Sequence, residues 1–200
     1  MTQRIRLGIS TCPNDTFAFH GLLTRAVDWR GLDFQIELLD VETLNERLLA
    51  GDFDVCKASF HAALLAADRV VVLPSGSALG FGVGPLLLAA QPGTRPTHAG
   101  QLTLCPGRHT TAALLFDLFY PRSTRVEQVV FSEIMPRLQA RTADFGVCIH
   151  EGDSRGKRTA SRSSKTSAPV GRPRPAVRCR LVASWPAAGC PPRRSPRCSG

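Results

Sequence analysis

The sequence predicts an α/β protein built as two lobes, on three observations. Strand-like alternations are each followed by a turn and a helical stretch, this cycle starts twice, and a glycine-rich segment, Gly76–Pro85, separates the two starts. Strands alternating with helices at this spacing predict parallel sheets. Two such sheets joined by one crossing predict a cleft between lobes.

Each element has a local reason. Ile5, Leu7 and Ile9 alternate as a strand does, the Pro, Asn and Asp of Ser10–Asp15 predict a turn, and a helix is expected from Thr16. Phe34, Ile36 and Leu38 alternate again. Asp40 is placed to cap the next helix, whose Leu44, Leu48 and Leu49 share a face and whose Gly51 suits the position after its end. Asp54–Ser59 reads as a third strand with a short alanine- and leucine-rich helix behind it. The second cycle starts with a strand at Leu102–Cys105, a turn at Pro106–His109 and a helix over Thr110–Phe119. A strand over Arg125–Phe131, a helix near Glu133–Arg141 and a strand over Phe145–Ile149 follow. The expected division is a first lobe over 1–88, the start of a second over 89–152, and a tail over 153–200.

Charge marks the tail. The 200 residues carry a formal net charge of +9, yet Met1–Gly152 holds 13 Lys and Arg against 15 Asp and Glu, whereas Asp153–Gly200 holds 12 against 1. All 10 Phe and all 5 His precede the tail, which contains no Ile, Phe, Tyr or Met and 7 of the 15 Pro. So few apolar side chains cannot offset the entropy of ordering the segment, so the tail is expected to be disordered. It has one Trp and no Phe or Tyr for stacking on bases, so no specific nucleic-acid partner is expected. No run of residues is long and apolar enough for membrane insertion. The N-terminus enters a strand instead of an export signal, so a cytoplasmic location is expected. The seven cysteines, at 12, 56, 105, 148, 179, 190 and 198, form no C-x-x-C pair and no ligand spacing. They read as reduced thiols, and no metal is expected. Gly80-Phe81-Gly82-Val83-Gly84 lacks the G-x-G-x-x-G spacing of a dinucleotide site.

The candidate chemistry lies beyond the C-terminal ends of strands, where helix starts present free N–H groups in an open α/β sheet. Two strand–Cys-Pro–helix units stand there, Ile9–Thr16 and Leu104–Thr111. Thr110 and Thr111 would offer N–H and hydroxyl groups to a carboxylate; ordinary helix capping is the alternative. His150 follows the last strand, well placed for proton transfer near neutral pH, or an ordinary exposed histidine. Lys57 and Ser59 alternate on one strand face and reach either the cleft or solvent.

Five motifs occur in order: Cys12-Pro13-Asn14-Asp15-Thr16-Phe17; Asp40-Val41-Glu42-Thr43-Leu44-Asn45; Ala78-Leu79-Gly80 with Gly82-Val83-Gly84-Pro85; Pro106-Gly107-Arg108-His109-Thr110-Thr111; and Ile149-His150-Glu151. Together they make Met1–Gly152 closely resemble the 1,4-dihydroxy-6-naphthoate synthase family of the futalosine route to menaquinone. The resemblance implies a two-lobed fold like periplasmic binding proteins of the second type. It also implies a carbon–carbon lyase, without cofactor, that cleaves cyclic dehypoxanthinylfutalosine to 1,4-dihydroxy-6-naphthoate and a sugar-derived fragment. By the matching positions, His150 would be the proton-abstracting base. Lys57, Ala58 and Ser59 would form one substrate-binding segment and Thr110 and Thr111 another, with Asn14 and Asp15 lining or bracing the cleft around an aromatic carboxylate.

The tail departs from that family, whose members continue with more α/β sequence. Shifting the reading frame from Asp153 onward, codon degeneracy permits a sequence like the family's continuation. The expectation is therefore an out-of-frame C-terminus on a truncated enzyme, poorly soluble or inactive as it stands because half-built lobes leave apolar faces uncovered. The competing readings are a non-catalytic solute-binding protein of the same fold and chorismate dehydratase of the same pathway.

Overall fold

Strand β1 (Gln3–Ser10) organises the first sheet, pairing in parallel with β2 (Leu32–Leu39) on one side and β3 (Val55–Ala58) on the other. The computed structural model describes residues 3–77 and 85–148 in full, and the backbone alone at 79–80, 176–177 and 180–184. Between β1 and β2 lie the short helices α1 (Pro13–Ala18) and α2 (His20–Leu23); α3 (Val41–Ala50) connects β2 to β3. The chain then forms α4 (Phe60–Leu65) and β4 (Val70–Val72).

Helix α1 starts at Pro13, three residues before the helix expected from Thr16. Proline's fixed φ suits the first helical position, where its missing N–H has no intrahelical partner to lose. The residue that reads as a turn therefore opens the helix. Helix α3 follows the sequence expectation closely. The Asp40 side chain accepts from the Glu42 N–H at 2.9 Å, and Gly51 ends the helix at φ 83°, a conformation that glycine adopts without steric cost.

The chain crosses through β5 (Leu79–Gly80) to the second sheet, entered by β6 (Leu86–Ala89). The expected lobe boundary at residue 88 thus falls within a strand of that sheet. Next come β7 (Leu102–Cys105), α5 (Thr111–Phe119), β8 (Arg125–Gln128), α6 (Phe131–Gln139) and β9 (Phe145–Cys148). Strand β7 lies between β8 and β9, parallel to both. The expectation of wholly parallel sheets fails at β6, which runs antiparallel to β9 because the chain enters the sheet from the crossing. Of the tail, the described backbone forms β10 (Ala176–Val177) and β11 (Arg180–Ser184). β10 pairs with β5, and β11 lies antiparallel between β3 and β4.

The two lobes repeat one plan, with strand orders β2-β1-β3 and β8-β7-β9. Helices cover both faces of each set. In the first, Leu44 and Leu48 of α3 pack with Phe53 and Cys56, while Leu7 and Ile9 meet Phe19 and Leu22 on the other face. In the second, Ile134 and Leu138 of α6 pack with Leu102 and Leu104, while Ala112 and Phe116 of α5 meet Cys105 and Val147. This places the ends of β1, β3, β7 and β9 where an open sheet binds ligands. Among the described residues no helix is long and apolar enough to cross a membrane.

Candidate functional site

The first-lobe half of the site is built on a buried ion pair. Lys57 Nζ lies 2.8 Å from Asp15 Oδ1, the two side chains being 3% and 11% exposed, and donates to the Gly76 carbonyl at 3.1 Å. Ser10 Oγ donates to Asp15 Oδ2 at 2.7 Å and accepts the Cys12 N–H at 3.1 Å. The ammonium and the carboxylate are therefore paired and further hydrogen-bonded, as buried charges must be. Lys57 braces the Cys-Pro turn against β3 from within the lobe. Ala58 is fully buried, and Asn14 lies exposed on the first turn of α1.

Ser59 follows β3 and is 2% exposed. Its N–H donates to Asn45 Oδ1 at 2.9 Å, and Asn45 Nδ2 donates to Ser59 Oγ at 3.2 Å. This reciprocal pair fixes the Asn45 carboxamide and leaves Nδ2 also donating to Glu42 Oε2 at 3.2 Å.

The second-lobe half is the turn after β7. Thr110 caps α5: its hydroxyl accepts the Ala113 N–H at 3.2 Å and donates to the Gly107 carbonyl at 2.7 Å. Capping, open as an alternative from sequence, is thus what the Thr110 hydroxyl does. The Thr111 hydroxyl is different, buried without a hydrogen-bond partner among the described residues. The hydroxyl stands in the first turn of α5, where the N–H groups of a helix have no acceptor within it.

The halves meet. His61 Nδ1 lies 3.3 Å from the Thr110 carbonyl, and Glu42 Oε1 accepts from the His109 N–H at 2.9 Å and lies 2.8 Å from His109 Nδ1. The structure thereby brings the segment at 57–59 and the turn at 110–111 to one place. His150 lies outside the described residues.

Glu42, Asn45, His61 and His109 are site residues that the sequence reading did not select. Asn45 left a signal: it falls on the same helix face as the leucines, and it is fully buried. A polar side chain in an apolar stripe must have partners. Glu42 and His109 are 67 residues apart, a separation no local pattern carries.

Among the described residues, Glu42, Glu46 and His109 could together offer ligand atoms to a metal, all within 4.8 Å of one another. Glu42, however, already accepts from a main-chain N–H and from Asn45. A surface cavity of about 290 Å³ is lined in part by Gln91, Gln101 and Asp144. Gln101 and Asp144 precede β7 and β9, so this cavity lies at the opposite end of the sheet from the site. Burial pushes the thiols of Cys105 and Cys148 up to about 12, with Asp117 adding to the shift at Cys105. Neither is a nucleophile near neutral pH.

Residues 5–162 match the model of a family described as menaquinone biosynthesis. The chain is 40% identical over 149 residues to a 1,4-dihydroxy-6-naphthoate synthase of Thermus thermophilus, covering 74% of this chain and 53% of the relative. It is 35% identical over 156 residues to the protein of that name from Streptomyces coelicolor, with the same coverage. The chain thus spans about half the length of the curated relatives it matches. Among solved structures it resembles AF1704 of Archaeoglobus fulgidus, with a TM-score of 0.70 and 24% identity over 90% of this chain and 68% of that one. It also resembles the periplasmic aliphatic sulphonate binding protein of Escherichia coli, with a TM-score of 0.61 and 11% identity over 92% of this chain and 66% of the other. The two-lobed fold expected from the motifs is the fold of these neighbours.

Proposed function

This chain belongs to the menaquinone biosynthesis family, and from that premise we propose that it is a 1,4-dihydroxy-6-naphthoate synthase acting as a carbon–carbon lyase. The substrate is cyclic dehypoxanthinylfutalosine, and the products are 1,4-dihydroxy-6-naphthoate and a sugar-derived fragment. The names of the two curated relatives support the activity. The observation that carries the reading is the meeting of both candidate binding segments, with His61 Nδ1 3.3 Å from the Thr110 carbonyl.

In this reading, the aromatic carboxylate is received at the start of α5, where the Thr111 hydroxyl has no partner among the described residues and the first turn of a helix offers N–H groups to an anion. Ser59 borders the same cleft, and the Asp15–Lys57 pair holds the wall beneath it. His150, two residues beyond the end of β9, is the base, since an imidazole has the right strength to take a proton near pH 7. It removes a proton from the sugar-derived part, the carbon–carbon bond breaks, and aromatisation of the released ring draws the reaction forward. Closure of the lobes excludes water from the reacting centre.

The test is an assay with the cyclic substrate, on this chain and on a version whose frame is restored from Asp153 onward. The expected result is turnover by the restored version, abolished by His150→Ala with binding retained. Unchanged turnover in His150→Ala removes that residue from the mechanism. Ligand binding without turnover in the restored version favours the solute-binding reading, which the fold of the sulphonate-binding neighbour supports.

A further inference from the structure

We propose that Glu42 is a positioning residue, a carboxylate clasp that couples the binding segment of the first lobe to that of the second. The inference rests on the proposed reading of segments 57–59 and 110–111 as two walls of one ligand site.

The clasp is a continuous, directional set of hydrogen bonds. The Ser59 N–H donates to Asn45 Oδ1, which turns Asn45 Nδ2 toward Glu42 Oε2 at 3.2 Å. From the other lobe, the His109 N–H donates to Glu42 Oε1 and Oε2 at 2.9 and 3.1 Å. His109 Nδ1, carrying its proton, donates to Glu42 Oε1 at 2.8 Å. Two of the donors aimed at this carboxylate are fixed by something else: Asn45 by Ser59, and the His109 N–H by the turn. A carboxylate offers about four lone-pair sites and no donor, so it accepts from both lobes at once.

A second feature of the turn depends on the same contact. Gly107 has φ 117°, and a Cβ there would lie 2.5 Å from Glu42 Oε2. The turn comes so close to Glu42 that only glycine fits. Asn45 is fully buried and Glu42 half-buried at the first turn of α3, so the clasp stands on a regular helix. Helix α3 thereby sets the position of the turn that starts α5. Glu42 touches neither candidate wall's ligand-facing groups; it acts through Asn45 on Ser59 and through His109 on Thr110.

The experiment is hydrogen exchange measured peptide by peptide on the full 200-residue chain, comparing Glu42→Ala and Glu42→Gln with the parent. Affinity for 1,4-dihydroxy-6-naphthoate is titrated in parallel. In Glu42→Ala, exchange is expected to rise about tenfold or more in both 107–111 and 57–61, because the local opening that exposes those amides becomes easier. Affinity is expected to fall about tenfold. Glu42→Gln keeps one oxygen for the His109 N–H and restores most of the protection. A residue that only supported α3 would change exchange within that helix and leave both walls alone. Unchanged exchange at 107–111 in Glu42→Ala overturns the clasp, as does equal loss in the Ala and Gln variants.

His109→Ala approaches the contact from the other lobe and decides the matter if Glu42→Ala does not fold. It keeps the main-chain N–H, so a smaller rise at 57–61 is expected, and no rise there overturns the coupling. If the naphthoate binds neither the parent chain nor the version with the restored frame, the proposed activity fails, and the exchange pattern still decides whether Glu42 couples the lobes.

Discussion

The two lobes open alike: a central strand, a Cys-Pro pair, and a helix starting within a few residues. The first turn is closed upon itself. Asp15 is satisfied by Lys57 and Ser10, and all three are buried. The second turn is not self-contained. His109 reaches across to Glu42, and the Thr111 hydroxyl has no partner among the described residues. Outside the turns the lobes stay alike, down to an arginine on the helix forked onto a strand glutamate ten residues earlier, Glu37–Arg47 and Glu127–Arg137. In both pairs the guanidinium holds the carboxyl below its usual range. One plan thus yields a turn that braces and a turn that reaches out, and the distinction lies in which polar groups find partners within their own lobe.

The largest break in this comparison comes from opening the first turn. Asp15→Ala leaves the Lys57 ammonium buried without its counter-charge, and removing one partner of a buried pair costs about 3–5 kcal/mol. The urea midpoint should fall accordingly. The double variant Asp15→Ala with Lys57→Met removes both charges and should recover much of the loss. A single variant as stable as the parent would mean that the first turn is not held by this pair.

The cysteines before the two prolines sharpen the contrast. Cys12 is partly exposed, whereas Cys105, at the end of β7, is buried, with its pKa raised by burial to about 12. The folded protein holds that proton more tightly than the unfolded chain, whose thiols titrate near 9. The stabilisation is therefore complete below pH 9 and is lost as pH rises toward 12. Cys105 and Cys148 should each contribute a fall of roughly 1 kcal/mol per pH unit across that window. Stability curves at pH 8 and 10 should show it, with a shallower fall in Cys105→Ala; an unchanged slope in that variant would refute the assignment. Iodoacetamide at pH 8 should label Cys12 ahead of Cys105 in the native protein.

Much of this fold was legible because its signals are local. The alternation of Leu7 and Ile9, the Asp40 cap and Gly51 each act within a few residues, and the structure bears them out. The start of α1 was misplaced because proline serves turns and first helical turns equally well. Strand β6 went unread because Leu86–Ala89 is a short apolar run without alternation, which strand and buried helix share. The site was half legible. Thr110 and Lys57 stand at strand and helix ends, where ligand groups are sought, but whether each is already engaged depends on residues far along the chain. Gly76 bonds Lys57 across 19 residues, and Glu42 meets His109 across 67. Pattern finds candidate groups; tertiary pairing decides which remain available.

The smallest effect, and the one that separates bracing from binding most sharply, lies between two adjacent threonines. Thr110→Ala removes a hydroxyl that both caps Ala113 and ties the Gly107 carbonyl, so a loss of about 1–2 kcal/mol in stability is expected. Thr111→Val keeps the shape and removes a hydroxyl that bonds nothing among the described residues, so stability should stay within about 1 kcal/mol of the parent or rise. Affinity for 1,4-dihydroxy-6-naphthoate should rank the other way at Thr111, falling about tenfold in Thr111→Val if its hydroxyl meets the ligand. Urea melts and titrations on the two variants give the four numbers needed. Equal stability losses would place both hydroxyls in the bracing class, and unchanged affinity in Thr111→Val would take the start of α5 out of the ligand site, leaving its unpaired hydroxyl as a cost without a use.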